Sequence, residues 1–300
     1  MSDVGQDPAV RQAIRGLGRA LGPDVLKACG QLFRQEQLAL AVPGERIPDL
    51  AYGPAPRQQL DLYRPAGPGA PAANPGAPIL LWVHGGGFVR GEKHSDEHPY
   101  NAHMGRFAAR HGLLGAVMNY RLAPEHRYPS GGEDVGLAID WLRREAPARG
   151  GDPERIFAVG TSAGAVHVAT HLMLRAGHEG LRGAALFSGL YGVTPLDPPD
   201  LRYYGEGASA SPGRAVLEAV AATRVPLFLA CAEFDPPRFQ AETTALLQRR
   251  LEAGGHLPRA HLASGHNHYS LAMHVGGRDQ RLGRELLGFI TETGDDQPTV

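Results

Sequence analysis

From residue 79 to the end, short continuous apolar runs alternate with longer stretches of helical period. "ILLWVH" (79–84), "LLGAVMNY" (113–120), "RIFAVG" (155–160), "GAALFSGL" (183–190), "VPLFLACAE" (225–233) and "RAHLASG" (259–265) read as strands. Helices are expected over 99–111, 132–145, 163–177, through "AVLEAV" at 215–220, and over 237–253 and 278–292. A strand apolar along its whole length must be buried on both faces. Repeated strand–helix units bury it that way, as a parallel sheet with helices above and below. This alternation alone fits an open doubly wound sheet or a closed eight-stranded barrel.

Upstream, "PAVRQAIRGLGRAL" (8–21) and "PDVLKACGQLFRQEQLAL" (23–40) place apolar residues every three to four positions, and Pro23 is suited to open the second helix. "DLAYG" (49–53) and "QQLDLYR" (58–64) alternate like a hairpin. "PAGPGAPAANPGAP" (65–78) reads as a mobile surface loop, since strand pattern resumes directly after it. The expected division is a helical, cap-like segment at 1–42 and an α/β domain at 43–300.

The 300 residues carry a formal net charge of −1, which gives no reason to expect a nucleic-acid partner. No stretch approaches the roughly 20 apolar residues of a membrane span. The two cysteines, Cys29 and Cys231, imply no disulfide framework. With no basic-then-apolar leader at the start, the expected location is cytoplasmic.

Two motifs bear on chemistry. "GTSAG" (160–164) fits G-x-S-x-G between a strand and a helix, the setting in which a serine is held at the tip of a strained turn. "HGGGF" (84–88) ends an earlier strand. Glycines there let backbone amides face a pocket, and preorganised amides stabilise the negative charge that builds on a carbonyl oxygen during acyl transfer.

These motifs, with "NYRLAPEHRYPSGGEDV" (119–135) and "AEFDPPR" (232–238), resemble the serine esterases of the α/β-hydrolase superfamily, close to the hormone-sensitive-lipase-like branch, over roughly residues 47–290. The resemblance implies an α/β-hydrolase fold, Ser162 as nucleophile, and an oxyanion hole from Gly86, Gly87 and the Ala163 amide. It makes Asp235 the triad acid. Thr161 and Ala165 stand where that branch has an aspartate and a further glycine. "SAGAVHVA" also resembles neighbouring bacterial carboxylesterases and arylformamidases.

Asp235 can also be reached from the residues. It ends a strand and precedes a helix, and Ser, acid, His is the superfamily's chain order. Glu233 is the rival acid, and a helix N-cap at Asp235 is the structural alternative. "GHNHYS" (265–270) offers two histidines. Both rings can face one way on an extended segment. The resemblance selects His268, which precedes an aromatic and a small polar residue, and leaves His266 supporting it or facing solvent.

"HSDEH" (94–98) fits H-x-x-E-H, but Pro99 disfavours the helical turn that a zinc site needs. No metal and no cofactor are expected. Phe88, Val89 and the segment 187–204, with Tyr191 in it, are expected to line the substrate pocket together with the N-terminal helices. The expected activity is hydrolysis of small to medium acyl esters through an acyl-enzyme. The alternatives are an arylformamidase or other amide hydrolase with the same triad, and a non-catalytic binder on a hydrolase scaffold, as the gibberellin receptors are. The expected partner is a small acyl ester, and dimers are common among such relatives.

Overall fold

A computed structural model describes residues 5–40, 44–65, 76–206 and 211–295. Most of the Pro-, Gly- and Ala-rich stretch at 65–78 lies outside them.

The chain opens with helices α1 (Pro8–Leu17) and α2 (Pro23–Leu38), then strands β1 (Arg46–Ala51), β2 (Gln59–Tyr63) and β3 (Ala77–Val83). Helix α3 (Ala102–Arg110), strand β4 (Leu114–Met118), helix α4 (Ser130–Glu145), strand β5 (Gly151–Thr161), helix α5 (Ala163–Leu174) and strand β6 (Gly183–Phe187) follow. Next are α6 (Leu201–Tyr204), α7 (Ser211–Ala222), β7 (Leu227–Phe234), α8 (Pro237–Gly254), β8 (Arg259–Asn267), α9 (Ser270–Met273) and α10 (Arg281–Asp295).

The strands form one open sheet in the order β1-β2-β4-β3-β5-β6-β7-β8. β1 and β2 are the expected hairpin, β2 also runs antiparallel to β4, and the other pairs are parallel. The closed barrel is thereby excluded.

Side chains alternate across the sheet, and both faces are apolar. From β3, Ile79, Leu81 and Val83 join α4, α5 and α7 on one face. Leu80 and Trp82 join α3 and α10 on the other. The continuous hydrophobic strand follows directly from this two-sided burial. Among the described residues, no helix is long and apolar enough to cross a membrane.

Chain order reverses at β3, with β4 on one side and β5 on the other. The loops leaving β3 and β5 therefore diverge above one crevice, where open α/β sheets place their ligands. Register sharpens the point: Val83 pairs with Gly160, and Thr161 pairs with Phe187. The residues that follow are His84–Gly85, Ser162 and Ser188, and they meet at one end of the sheet.

Candidate active site

Ser162 sits between β5 and α5 with φ 53° and ψ −119°. That region is costly for a side-chain-bearing residue and persists only where its surroundings fix it. Here the Ser162 N–H donates to Phe187 O at 2.8 Å. The flanking glycines are required by space. A Cβ on Gly164 would drive into the Val83 and His84 carbonyls, and one on Gly160 into the Gly164 carbonyl. Helix α5 can therefore begin hard against the end of β3.

Three sequence-predicted residues meet at this turn. His268 Nε2 lies 3.0 Å from Ser162 Oγ, and His268 Nδ1 lies 2.8 Å from Asp235 Oδ1. The Nδ1–H donates to the carboxylate, which leaves Nε2 free to accept the serine proton. Asp235 is wholly buried. Its Oδ2 also accepts from Ser188 Oγ at 2.6 Å and from the Ala232 N–H at 2.7 Å. The His268 ring rests on Phe239, with centroids 4.2 Å apart. Glu233 instead accepts the Gly265 N–H at 2.7 Å.

The two histidines of "GHNHYS" go to different partners. His266 is buried, so the solvent-facing alternative does not hold. Its Nδ1 meets Ser270 Oγ at 3.1 Å, its Nε2 meets Asp279 Oδ2 at 3.1 Å, and its ring stacks on His274 at 3.8 Å. Burial pushes both imidazoles below the ordinary range.

Among the described residues, His266, His274 and Asp279 are the group whose ligand atoms converge, all within 4.8 Å. Arg281 already neutralises this carboxylate, reaching Asp279 Oδ2 at 2.6 Å. Residues 94–98 form no helix, and α3 begins only at Ala102.

The N-terminal helices lean on the same histidine loop. Gln6 donates to Gly265 O at 2.9 Å, and Gly22 N–H to Tyr269 Oη at 3.0 Å. Cys29 Sγ lies 3.4 Å from the Asn267 amide, and Gln37 donates to Met273 O at 2.8 Å.

Gly86 (φ 136°) and Gly87 (φ 59°) carry the loop after β3 through left-handed backbone. A Cβ on Gly85 would sit 3.3 Å from Ser162 Cβ, so this loop borders the serine. The Ala163 amide, first in α5, is one of the helix-start donors that lack an intrahelical acceptor. Below the loop the His84 ring is buried and stacks on Tyr120 at 4.4 Å. Burial pushes its pKa down to about 4, so it is neutral at pH 7.

Phe88 joins Ala163, Val166, Leu190, Tyr203 and Phe239 in a buried cluster, with Val89 packed against it. Phe88 stacks on Tyr203 at 4.4 Å. Tyr191 belongs instead to the main core, and its N–H donates to Glu242 at 2.8 Å. Sequence reasoning reached Ser188 and Tyr203 only as part of the segment 187–204 and singled out neither. Ser188 was legible only through register, as the residue after a strand lying between those of Ser162 and Asp235. Tyr203 lies in the short helix α6, where its ring meets Phe88.

A family model described as alpha/beta hydrolase fold matches residues 80–271. The gibberellin receptor GID1 of Oryza sativa subsp. japonica is 35% identical over 141 residues, 46% of this chain and 39% of that receptor. Carboxylesterase NlhH of Mycobacterium tuberculosis is 36% identical over 94 residues, 31% of this chain and 28% of that enzyme. The matches thus span less than half the length of these curated relatives. Among solved structures, the esterase LipW of Mycobacterium marinum superposes with a TM-score of 0.71 at 21% identity, covering 98% of this chain and 100% of that one. At that identity the likeness is one of fold.

Proposed function

The chain belongs to the alpha/beta hydrolase fold family, and from that premise we propose that it is a serine carboxylesterase acting on small to medium acyl esters. The observation that carries this reading is the unbroken relay from Ser162 Oγ through His268 to Asp235, at 3.0 and 2.8 Å.

In this reading His268 takes the Ser162 proton as the oxygen attacks the ester carbonyl. The buried Asp235 fixes the ring's tautomer and stabilises the imidazolium that forms. Amides of Gly86, Gly87 and Ala163 receive the charge that develops on the carbonyl oxygen. His268 then returns the proton to the departing alcohol. A water activated by the same ring releases the acid from the acyl-enzyme. No step calls for a metal or a cofactor.

The aromatic cluster of Phe88, Tyr203 and Phe239 beside Ala163 and His268 supports apolar surroundings for the acyl group. The N-terminal helices serve in this reading as a brace for the histidine loop.

Two readings compete. A hormone-binding role, as the name of the rice relative suggests for that protein, does not need an intact relay. An amide or formamide hydrolase needs the same one. Hydrolysis of p-nitrophenyl acetate, butyrate and octanoate beside N-formylkynurenine, by wild type and Ser162→Ala, separates them. The expected result is serine-dependent ester cleavage, falling off by the octanoate, with the formamide untouched. Preference for the formamide would move the protein to the amide hydrolases. No serine-dependent turnover would sink the enzyme reading.

A further inference from the structure

The glycines of the loop after β3 carry the proposed oxyanion donors, yet glycine is the residue least able to hold its own backbone in place. Something else must fix the loop to the tolerance that electrostatic catalysis demands. The loop is folded tightly on itself. A Cβ on Gly86 would collide with the Arg90 carbonyl, and one on Gly91 with the His84 ring and the Gly85 carbonyl. Gly91 is therefore the floor on which His84 and Gly85 rest.

Gly91 is held by a residue outside every motif. Arg57, in the turn between β1 and β2, donates from one terminal nitrogen to Gly91 O at 2.7 Å. Its Nε donates to Tyr120 O at 2.9 Å, and its other terminal nitrogen to Glu92 Oε1 at 2.6 Å. Tyr120 in turn donates to His84 O at 2.9 Å and stacks on the His84 ring at 4.4 Å. One planar guanidinium thus ties both sides of the loop base together, Gly91 on the return limb and Tyr120 beneath the outgoing one. Glu92 is fixed from the far side by Asn119 Nδ2 at 2.8 Å.

We propose that Arg57 is a positioning residue for the oxyanion loop, joining the Gly91 and Tyr120 carbonyls so that the Gly85–Gly87 backbone keeps its place above Ser162. This rests on the esterase reading. Arg57 touches no substrate. Its effect falls on the charge that exists only in the transition state, and so on kcat rather than KM. A lysine offers a single point donor in place of a planar fork, so it cannot hold three acceptors in fixed directions.

The test is steady-state hydrolysis of p-nitrophenyl butyrate by wild type, Arg57→Gln and Arg57→Lys. It is paired with inhibition by an alkyl trifluoromethyl ketone, whose serine adduct carries a tetrahedral oxyanion. Misplacement of a catalytic group by about 1 Å can cost roughly 100-fold. The expected result for Arg57→Gln is a kcat loss of about 30- to 100-fold with KM within about twofold. The ketone's inhibition constant should rise in step with the loss in kcat. Arg57→Lys should recover part of both and keeps the test sharp if the glutamine variant folds poorly. Variants with kcat within about twofold of wild type, or with losses confined to KM, would overturn the inference alone. A wild type without Ser162-dependent ester cleavage would overturn the esterase reading and this inference with it.

Discussion

His268 Nδ1 stands 2.8 Å from Asp235 Oδ1, while Glu233, two residues earlier, gives its carboxylate to the Gly265 amide. The two acids at the end of β7 have separate partners. Asp235→Asn presents an amide that favours the wrong tautomer of His268. Ester kcat should fall by about 1,000- to 10,000-fold, the order seen when a triad acid is neutralised elsewhere. Glu233→Gln retains an acceptor for Gly265 and should stay within about tenfold of wild type. Parallel kcat/KM measurements decide it, and the reverse ranking would make Glu233 the acid.

The elbow glycines predict a stability contrast. Gly164→Ala must push apart the start of α5 and the end of β3, because its new Cβ meets the Val83 and His84 carbonyls, which are backbone and cannot rotate away. Overpacking of this kind typically costs 1–3 kcal/mol and more where nothing yields. Gly16→Ala lies in α1 with nothing within 4 Å of the added methyl, and should be neutral or stabilising by up to about 1 kcal/mol. Urea midpoints of the two variants test the difference.

Buried imidazoles set a pH dependence of stability. Burial lowers His84 and His103 from 6.5 to about 4, and His167 to about 3. As pH drops below 6.5 the unfolded chain takes up these protons first, while the folded chain keeps neutral rings until about pH 4. Stability is therefore fully present above pH 6.5, is lost as pH falls towards 4, and levels off once the folded rings also protonate. For His84 alone the loss is about 3 kcal/mol across that window. Urea midpoints at pH 7.5 and 5.0 should differ clearly, with net proton uptake on unfolding at pH 5. A flat profile would show that these rings are not neutral in the folded state.

The strands and their parallel order were readable because burial on both faces writes an unbroken apolar run, as in "ILLWVH" becoming β3 (Ala77–Val83). The open sheet was not distinguishable from a barrel by that pattern, since closure is decided by which edges pair. Ser162 was legible from Gly160 and Gly164, whose spacing reflects a close backbone approach. His268 against His266 was not legible from geometry, because which way each ring turns depends on Asp279, Arg281 and His274, set by α9, α10 and the segment between them. Ser188 was hidden inside "GAALFSGL", an apolar run in which only the cross-strand register marks one serine as the neighbour of Asp235.

The hairpin at the sheet's edge carries a buried ion cluster that separates costly from cheap charge removal. Asp61 is wholly buried in β2 and accepts Arg46 Nε at 2.9 Å, the Asp49 N–H at 3.0 Å and Lys93 Nζ at 2.7 Å. Lys93 is almost as enclosed and follows directly on the loop that Arg57 holds. Asp61→Ala removes the buried anion and leaves the enclosed Lys93 ammonium facing the exposed Asp49, so it should cost about 3–5 kcal/mol. Glu154→Ala breaks the surface pair with Arg143, exposed on both sides, and should cost no more than about 1 kcal/mol. Urea unfolding of both variants gives the comparison, and equal costs would mean that water reaches Asp61. If the cluster also steadies the loop base, Asp61→Ala should lose ester kcat at temperatures where circular dichroism still shows it folded, while Glu154→Ala should not.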